Sequence, residues 1–178
     1  MSLVLWEIWS YLQILVVWAA FRKFAHRDIK GGILAGAIIG VCVEFITEPF
    51  WQYHFKITVY KDIPLSVIFA WGVMFSLVIF LSEKLYCWFL KKSAIVPYDK
   101  RVLLFDVLAG VMIGLPFETV GIKTGIWEYR YDLLHWNWGF IPFFHMPYEA
   151  LVGYALLMVV APTFVRYWQG VFAEAAHD

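Results

Sequence analysis

The charges of this chain divide it into five apolar stretches, at about residues 3–21, 31–50, 65–83, 102–119 and 141–164. At ~1.5 Å per helical residue each can cross a hydrocarbon layer of ~30 Å, the fourth only just. The expectation is an all-α, polytopic membrane protein with about five transmembrane helices. Composition points the same way: 62% of the residues are apolar, 16% are charged and the mean hydropathy is +0.71. A soluble domain could not cover such a core.

Topology follows from the fourteen Lys and Arg residues. Arg22, Lys23, Arg27, Lys30, Lys84, Lys91, Lys92, Lys100, Arg101 and Arg166 fall on one side of the expected membrane. Only Lys56, Lys61, Lys123 and Arg130 fall on the other. The positive-inside rule then puts the N-terminus outside and the C-terminus in the cytoplasm of a multi-pass cell-membrane protein. The first stretch has no basic lead, carries Glu7 and is followed by charge rather than a small-residue cleavage site, so it is expected to stay as a helix. Net charge is zero and the basic residues sit in short loops, so nothing argues for nucleic acid. Cys42 and Cys87 fall in or beside stretches near opposite faces and read as small buried hydrophobes. No linker or low-complexity segment divides residues 1–178, which read as a single transmembrane domain.

The second and fourth stretches share a series of small residues ending in an acid. Gly36, Gly40 and Glu44 match Gly110, Gly114 and Glu118, and IIGVCVEF is answered by MIGLPFET. Steps of four keep successive residues near one helix face, so each helix carries a groove leading to one carboxyl. Beyond each acid stands an aromatic tripeptide, Trp51-Gln52-Tyr53 and Trp127-Glu128-Tyr129. Ile63-Pro64 and Ile141-Pro142 are then expected to open the next spans. This reads as a tandem two-helix repeat, about 31–83 and 102–164, with the first span packed outside it. Each unit has an even number of spans, so both copies enter the membrane in the same direction and their acids can converge in its outer half. On the expected boundaries Glu149 lies roughly 12 Å inward from the outer end of span five, at ~1.5 Å per residue.

Ionisable groups in a bilayer usually face a cavity or a partner. A carboxyl in apolar surroundings can hold a proton near neutral pH and act as a general acid. Glu44, Glu118 and Glu149 are the candidates for that role. The other reading has Glu44, Glu48 and Glu118 reaching headgroup water, or pairing with Lys56, Lys123 or Arg130. Asp106, near Lys100 and Arg101, reads as structural. The chain holds 10 Trp, 10 Tyr and 16 Phe, many of them crowded beyond the repeat acids. An interfacial belt accounts for such crowding, and so does a pocket lined by Trp51, Tyr53, Trp127 and Tyr129. Ring faces stabilise cations, so an acid beside aromatic walls is equipped to protonate a carbon double bond and shield the carbocation. A metal reading draws on Glu44 with Glu48, His145 with Glu149, and His54. It is weak, because no HExxH arrangement is present, and no metal is expected.

The stretch from Asp106 to Tyr154 resembles the membrane-type lycopene cyclases. Glu118, Gly125, Trp127 and Tyr129 stand at that family's spacing from its acid, and Pro147-Tyr148-Glu149 matches the start of its Pro-x-Glu-Glu ending. The same stretch is similar to the membrane carotenoid hydratases through Glu118, Gly121, Thr124, Gly125, Tyr129 and Tyr131. Departures are Glu118 where an Asp is usual, Ala150 in place of the second Glu, and a longer loop between Trp127 and Pro147. The resemblance implies proton-initiated, non-redox cyclisation or hydration of a polyene or prenyl chain taken from the bilayer, with no cofactor. It implies Glu44, Glu118 and Glu149 as catalytic acids. Trp51, Tyr53, Gly125, Trp127, Tyr129, His145 and Pro147 would contact substrate. The competing expectation is a non-catalytic membrane protein, either a subunit of a membrane complex or a small proton- or cation-linked transporter. Membrane lipid is a partner on either reading, and the state of homo- or hetero-oligomerisation is left open.

Overall fold

The computed structural model describes residues 2–96 and 98–174. Helix α1 (Leu3–Ala20) ends in a π-helical turn, Phe21–Ala25, and leads to α2 (Lys30–Thr47). A 3₁₀ turn at Glu48–Phe50 follows, then the short strands β1 (Trp51–Tyr53), β2 (Thr58–Tyr60) and β3 (Ile63–Pro64). Helices α3 (Leu65–Leu90) and α4 (Arg101–Thr124), strand β4 (Trp127–Tyr129), the single turn α5 (Tyr131–Leu134) and helix α6 (Tyr148–Glu174) complete the order. Five of the helical segments described are long and apolar enough to cross a membrane: Leu3–Ala25, Lys30–Phe50, Leu65–Leu90, Arg101–Thr124 and Tyr148–Gly170.

Two boundaries differ from the sequence expectation in ways that matter. Helix α3 continues to Leu90, past Glu83 and Lys84, because the first charges face partners instead of ending the helix. Glu83 receives a two-pronged bond from Arg27, at 2.5 and 3.3 Å. Helix α6 starts at Tyr148, not at residue 141. Phe143 and His145 take left-handed backbone angles, and Phe140 bridges to Pro147, so residues 140–147 form a folded-back loop. The proline that directly precedes the helix is therefore Pro147 and not Pro142.

Helices α2, α3, α4 and α6 share one core, in which Ala35, Trp71, Phe75, Val78, Ala109, Met158, Ala161 and Val165 are buried. Of the most apolar window of α3, 61% is buried, against 11% for α1, which places α3 at the centre and α1 at the periphery. The small-residue series lie at helix contacts. A Cβ on Gly36 would sit 2.5 Å from the Cα of Gly72, and one on Gly72 would sit 2.2 Å from the carbonyl oxygen of Ile33. Helices α2 and α3 thus touch backbone to backbone, as small residues permit. On α4 a Cβ at Gly110 would meet Met158 at 2.3 Å and one at Gly114 the Tyr154 ring at 3.2 Å, so that groove receives α6 side chains. Asp106 is fully buried and its partner is Arg166 of α6, at 2.5 and 2.7 Å, rather than Lys100 or Arg101. Arg166 also reaches Ser82 on α3, so one guanidinium ties three helices.

The backbone contact at Gly72 is rigid on both sides. Gly72→Ala is expected to cost about 1–3 kcal/mol or more through overpacking. Gly153→Ala, with nothing within 4 Å of the added Cβ, is expected to be neutral or mildly stabilising. Thermal unfolding of the two variants in detergent, compared with the parent, checks the contrast.

Candidate functional site

Each acid at the end of a small-residue series is buried, Glu44 at 0% exposure and Glu118 at 6%. Neither pairs with a cation among the described residues. Glu44 accepts from Trp51 Nε1 at 3.3 Å, Tyr53 Oη at 3.0 Å and Trp71 Nε1 at 2.6 Å. Glu118 accepts from Trp127 Nε1 at 3.1 Å, from Tyr129 Oη at 2.9 Å, and from Tyr154 Oη. Lys61 takes Glu48 instead, at 2.7 Å, and Lys123 reaches the carbonyl of Phe143. Three donors apiece offset the cost of removing a carboxyl from water.

The Trp-x-Tyr spacing has a simple cause in extended backbone, where alternate side chains share a face. Strands β1 and β4 pair antiparallel, with Trp51 opposite Tyr129, Gln52 opposite Glu128 and Tyr53 opposite Trp127. Main-chain bonds from His54 to Ile126 and from Arg130 to Phe50, both 2.9 Å, extend the ribbon. One face therefore carries four rings, which meet across it edge to face: Trp51 with Tyr129 at 6.3 Å and Tyr53 with Trp127 at 6.0 Å. The third donors meet as well, Trp71 stacking on Tyr154 at 5.9 Å. The two carboxyls are thus held by donor sets braced against one another. Burial pushes the Tyr53 and Tyr129 hydroxyls well above the usual phenol range, and the adjoining carboxyls add to the shift, so both remain protonated donors.

Glu44 and Glu118 lie on the wall of one half-open cavity of about 510 Å³. Trp51, Tyr53, Trp127 and Tyr129 line it too, together with Trp71 and Tyr154. Helix α1 forms one side through residues 6–17, and α4 contributes Pro116, Phe117, Val120 and Gly121. Gly121 makes room for the donor of Glu118, since a Cβ there would lie 2.0 Å from the Trp127 ring.

The remaining sequence candidates are elsewhere. Glu149 sits in the first turn of α6, and its Oε1 accepts the main-chain N–H groups of Asn137 and Trp138 at 2.8 and 2.7 Å. The depth expected for it rested on a helix that begins seven residues too early. Gly125 caps α4 with φ +69°, its amide reaching the carbonyl of Ile122, a job of chain reversal that glycine performs without strain. Pro147 is fully buried in its bridge with Phe140, while His145 is exposed, and neither is on the cavity wall. The metal candidates diverge: His54 lies 3.6 Å from Glu128, and no group of three or more His, Cys, Asp or Glu converges among the described residues.

Sequence reading missed Trp71 and Tyr154, the donors contributed by α3 and α6. A signal existed, because each stands seven residues after the proline that directly precedes its helix, Pro64 and Pro147. No protein-family model, curated protein or solved structure matches this chain.

Losing one donor leaves a buried carboxyl oxygen poorly satisfied. Trp71→Phe and Tyr154→Phe are each expected to lower stability by about 1–3 kcal/mol. Tyr60→Phe, at an exposed ring, is expected to stay within about 0.5 kcal/mol. Unfolding midpoints in mixed micelles measure all three.

Proposed function

We propose that this chain is an integral membrane enzyme that starts non-redox cyclisation or hydration of a long polyene or prenyl chain by protonating a carbon double bond. The reading includes the tandem two-helix repeat, with α2–α3 and α4–α6 as its copies, and the topology with the N-terminus outside and the C-terminus in the cytoplasm. One observation carries it: two buried carboxyls, each held by indole and phenol donors and, among the described residues, by no cation, share the wall of one aromatic cavity.

The donor sets suggest a division of labour. An indole N–H only donates, and both oxygens of Glu44 face one. Oε1 of Glu118 meets only the Tyr154 hydroxyl, which can turn to accept. A proton on Glu118 Oε1 therefore keeps a partner, and Glu118 is the acid while Glu44 takes a proton back. In cyclisation the acid's proton adds to one alkene carbon and a neighbouring double bond attacks the cation. A proton then leaves to Glu44, so mass is unchanged. In hydration water attacks the cation and loses its proton to Glu44, adding one water. The rings of Trp51, Trp127 and Tyr129 shield the positive charge. Glu149, engaged with the loop backbone, takes no part.

The completeness of the same donor sets favours a second reading, in which the acids anchor a non-catalytic membrane protein. Expression in a host that makes linear carotenoids, with chromatography and mass spectrometry of the pigments, separates the two. A product of unchanged mass and shifted retention means cyclisation, a gain of one water means hydration, and an unchanged extract favours the non-catalytic reading. Where product forms, Glu118→Gln is expected to reduce it at least about 100-fold, the lower range for a lost general acid. Glu149→Gln keeps an oxygen for the two amides and is expected to retain product.

A further inference from the structure

Helix α1 brings one group to the cavity that the acid chemistry does not use. Trp6, Trp9, Ser10, Gln13, Val16 and Val17 form its wall, a stripe at the spacing of one helix face. Gln13 lies ten residues beyond the start of α1 at Leu3, which at ~1.5 Å per residue is about 15 Å along it, near the middle of a ~30 Å layer. An amide at such depth is costly unless it is hydrogen-bonded.

Its amide has no partner among the described residues. Ser10 Oγ donates to the carbonyl of Glu7, the indoles of Trp51, Trp71 and Trp127 and the three phenols donate to Glu44 or Glu118, and the indoles of Trp6 and Trp9 can only donate. Among the described side chains lining the cavity, Gln13 alone has both a donor and an acceptor free.

We propose that Gln13 recognises a hydroxyl on the bound chain, and that the ligand of this cavity is a hydroxylated isoprenoid. The inference rests on the prenyl-chain reading above and narrows its substrate class. A hydroxyl both donates and accepts, which matches the carbonyl and NH₂ of a glutamine amide. The apolar wall around it, including Val16, Val67, Met74 and Val120, takes the hydrocarbon. At ~30 Å³ per water-sized group the half-open cavity encloses about seventeen such groups, so a C15 to C20 chain, or a segment of that length from a longer one, fits within it. The hydroxyl sits against α1, while the acids lie toward the β1–β4 ribbon, so the reacting double bond is separate from the recognised oxygen.

The test measures binding to the purified full chain in lipid nanodiscs by quenching of tryptophan fluorescence. The probes are geranylgeraniol and the C20 hydrocarbon that lacks its hydroxyl. The wild type is expected to bind the alcohol about tenfold more tightly, the scale of one well-placed hydrogen bond. Gln13→Leu, of similar size and suited to a membrane helix, is expected to lose that preference with hydrocarbon affinity unchanged, which also reports an intact cavity. Equal affinities in the wild type, or a preference that survives in Gln13→Leu or Gln13→Met, overturn the role of Gln13 and leave the prenyl reading standing. Saturable binding of neither probe overturns both.

Discussion

Much of this structure answers one requirement, that two carboxyls with no cation beside them among the described residues be satisfied inside an apolar bundle. The protein solves the problem with neutral donors, and the solution fixes much around it. Two donors per acid must share a face two residues apart, which demands extended backbone directly after a helix. The third must come from the helix that follows. Strand pairing of β1 with β4, the ring contacts across it and the placement of Trp71 and Tyr154 are consequences of that demand. Asp106 shows the other solution, a two-pronged pairing with Arg166 that locks three helices together. The Arg166 pairing fixes geometry through opposite charges. The aromatic cages satisfy the carboxyls with neutral donors, an arrangement that suits the proposed protonation of a double bond.

Close helix packing makes the cages possible. In lipid the association of helices relies on packing rather than on hydrophobic exclusion, so small residues set how near two axes can come. Gly36 against Gly72 brings α2 onto α3 near the centre of the bundle, and Gly40 continues the approach toward Glu44. Trp71 can reach Glu44 at 2.6 Å because the two helices already touch below it. On the other side Gly114 lies against the Tyr154 ring and Gly121 opens a seat for the Trp127 indole. The glycine series and the donor sets therefore form one construction, since a side chain at any of these positions would displace a donor or the helix that carries it.

The spans, the glycine faces and the pairing of Glu44 and Glu118 with the Trp-x-Tyr tripeptides were legible in the sequence because each is a local pattern. The antiparallel ribbon was not. Three-residue strands carry no periodic signal, and their pairing joins residues some 76 positions apart. Glu149 misled for an equally physical reason: apolar residues from Ile141 onward read as membrane helix, while loop geometry at Phe143 and His145 delays α6 until Tyr148. That error placed a helix-start carboxyl about two turns inside a helix and hid the correspondence of Pro147 with Pro64, and with it Tyr154. Gly125 stood out through its spacing from Glu118, yet its role is to end α4 so that Trp127 and Tyr129 can turn back on the acid.

Helix α1 has no counterpart in the proposed duplication, and its attachment explains how it can serve a cavity. It is pinned at its two ends. Near its start Glu7 accepts the amides of Lys56 and Ile57 at 3.1 and 2.7 Å, tying the helix to the loop beyond β1. At its far end Trp18 donates to Asp28 at 3.1 Å, and Arg27 in the same connection holds Glu83 of α3. Between the pins Ile8, Leu12 and Leu15 are exposed on one side, while the stripe with Ser10 and Gln13 faces the cavity. Without α1 the acids would stand in an open groove on α3 and α4. With it they face a wall that is fixed in position but not packed shut, so space for a chain remains between α1 and α4. The amide proposed to read the ligand belongs to the one long helix outside the proposed duplication, so on that proposal ligand choice can change on α1 without disturbing the cages that hold the acids.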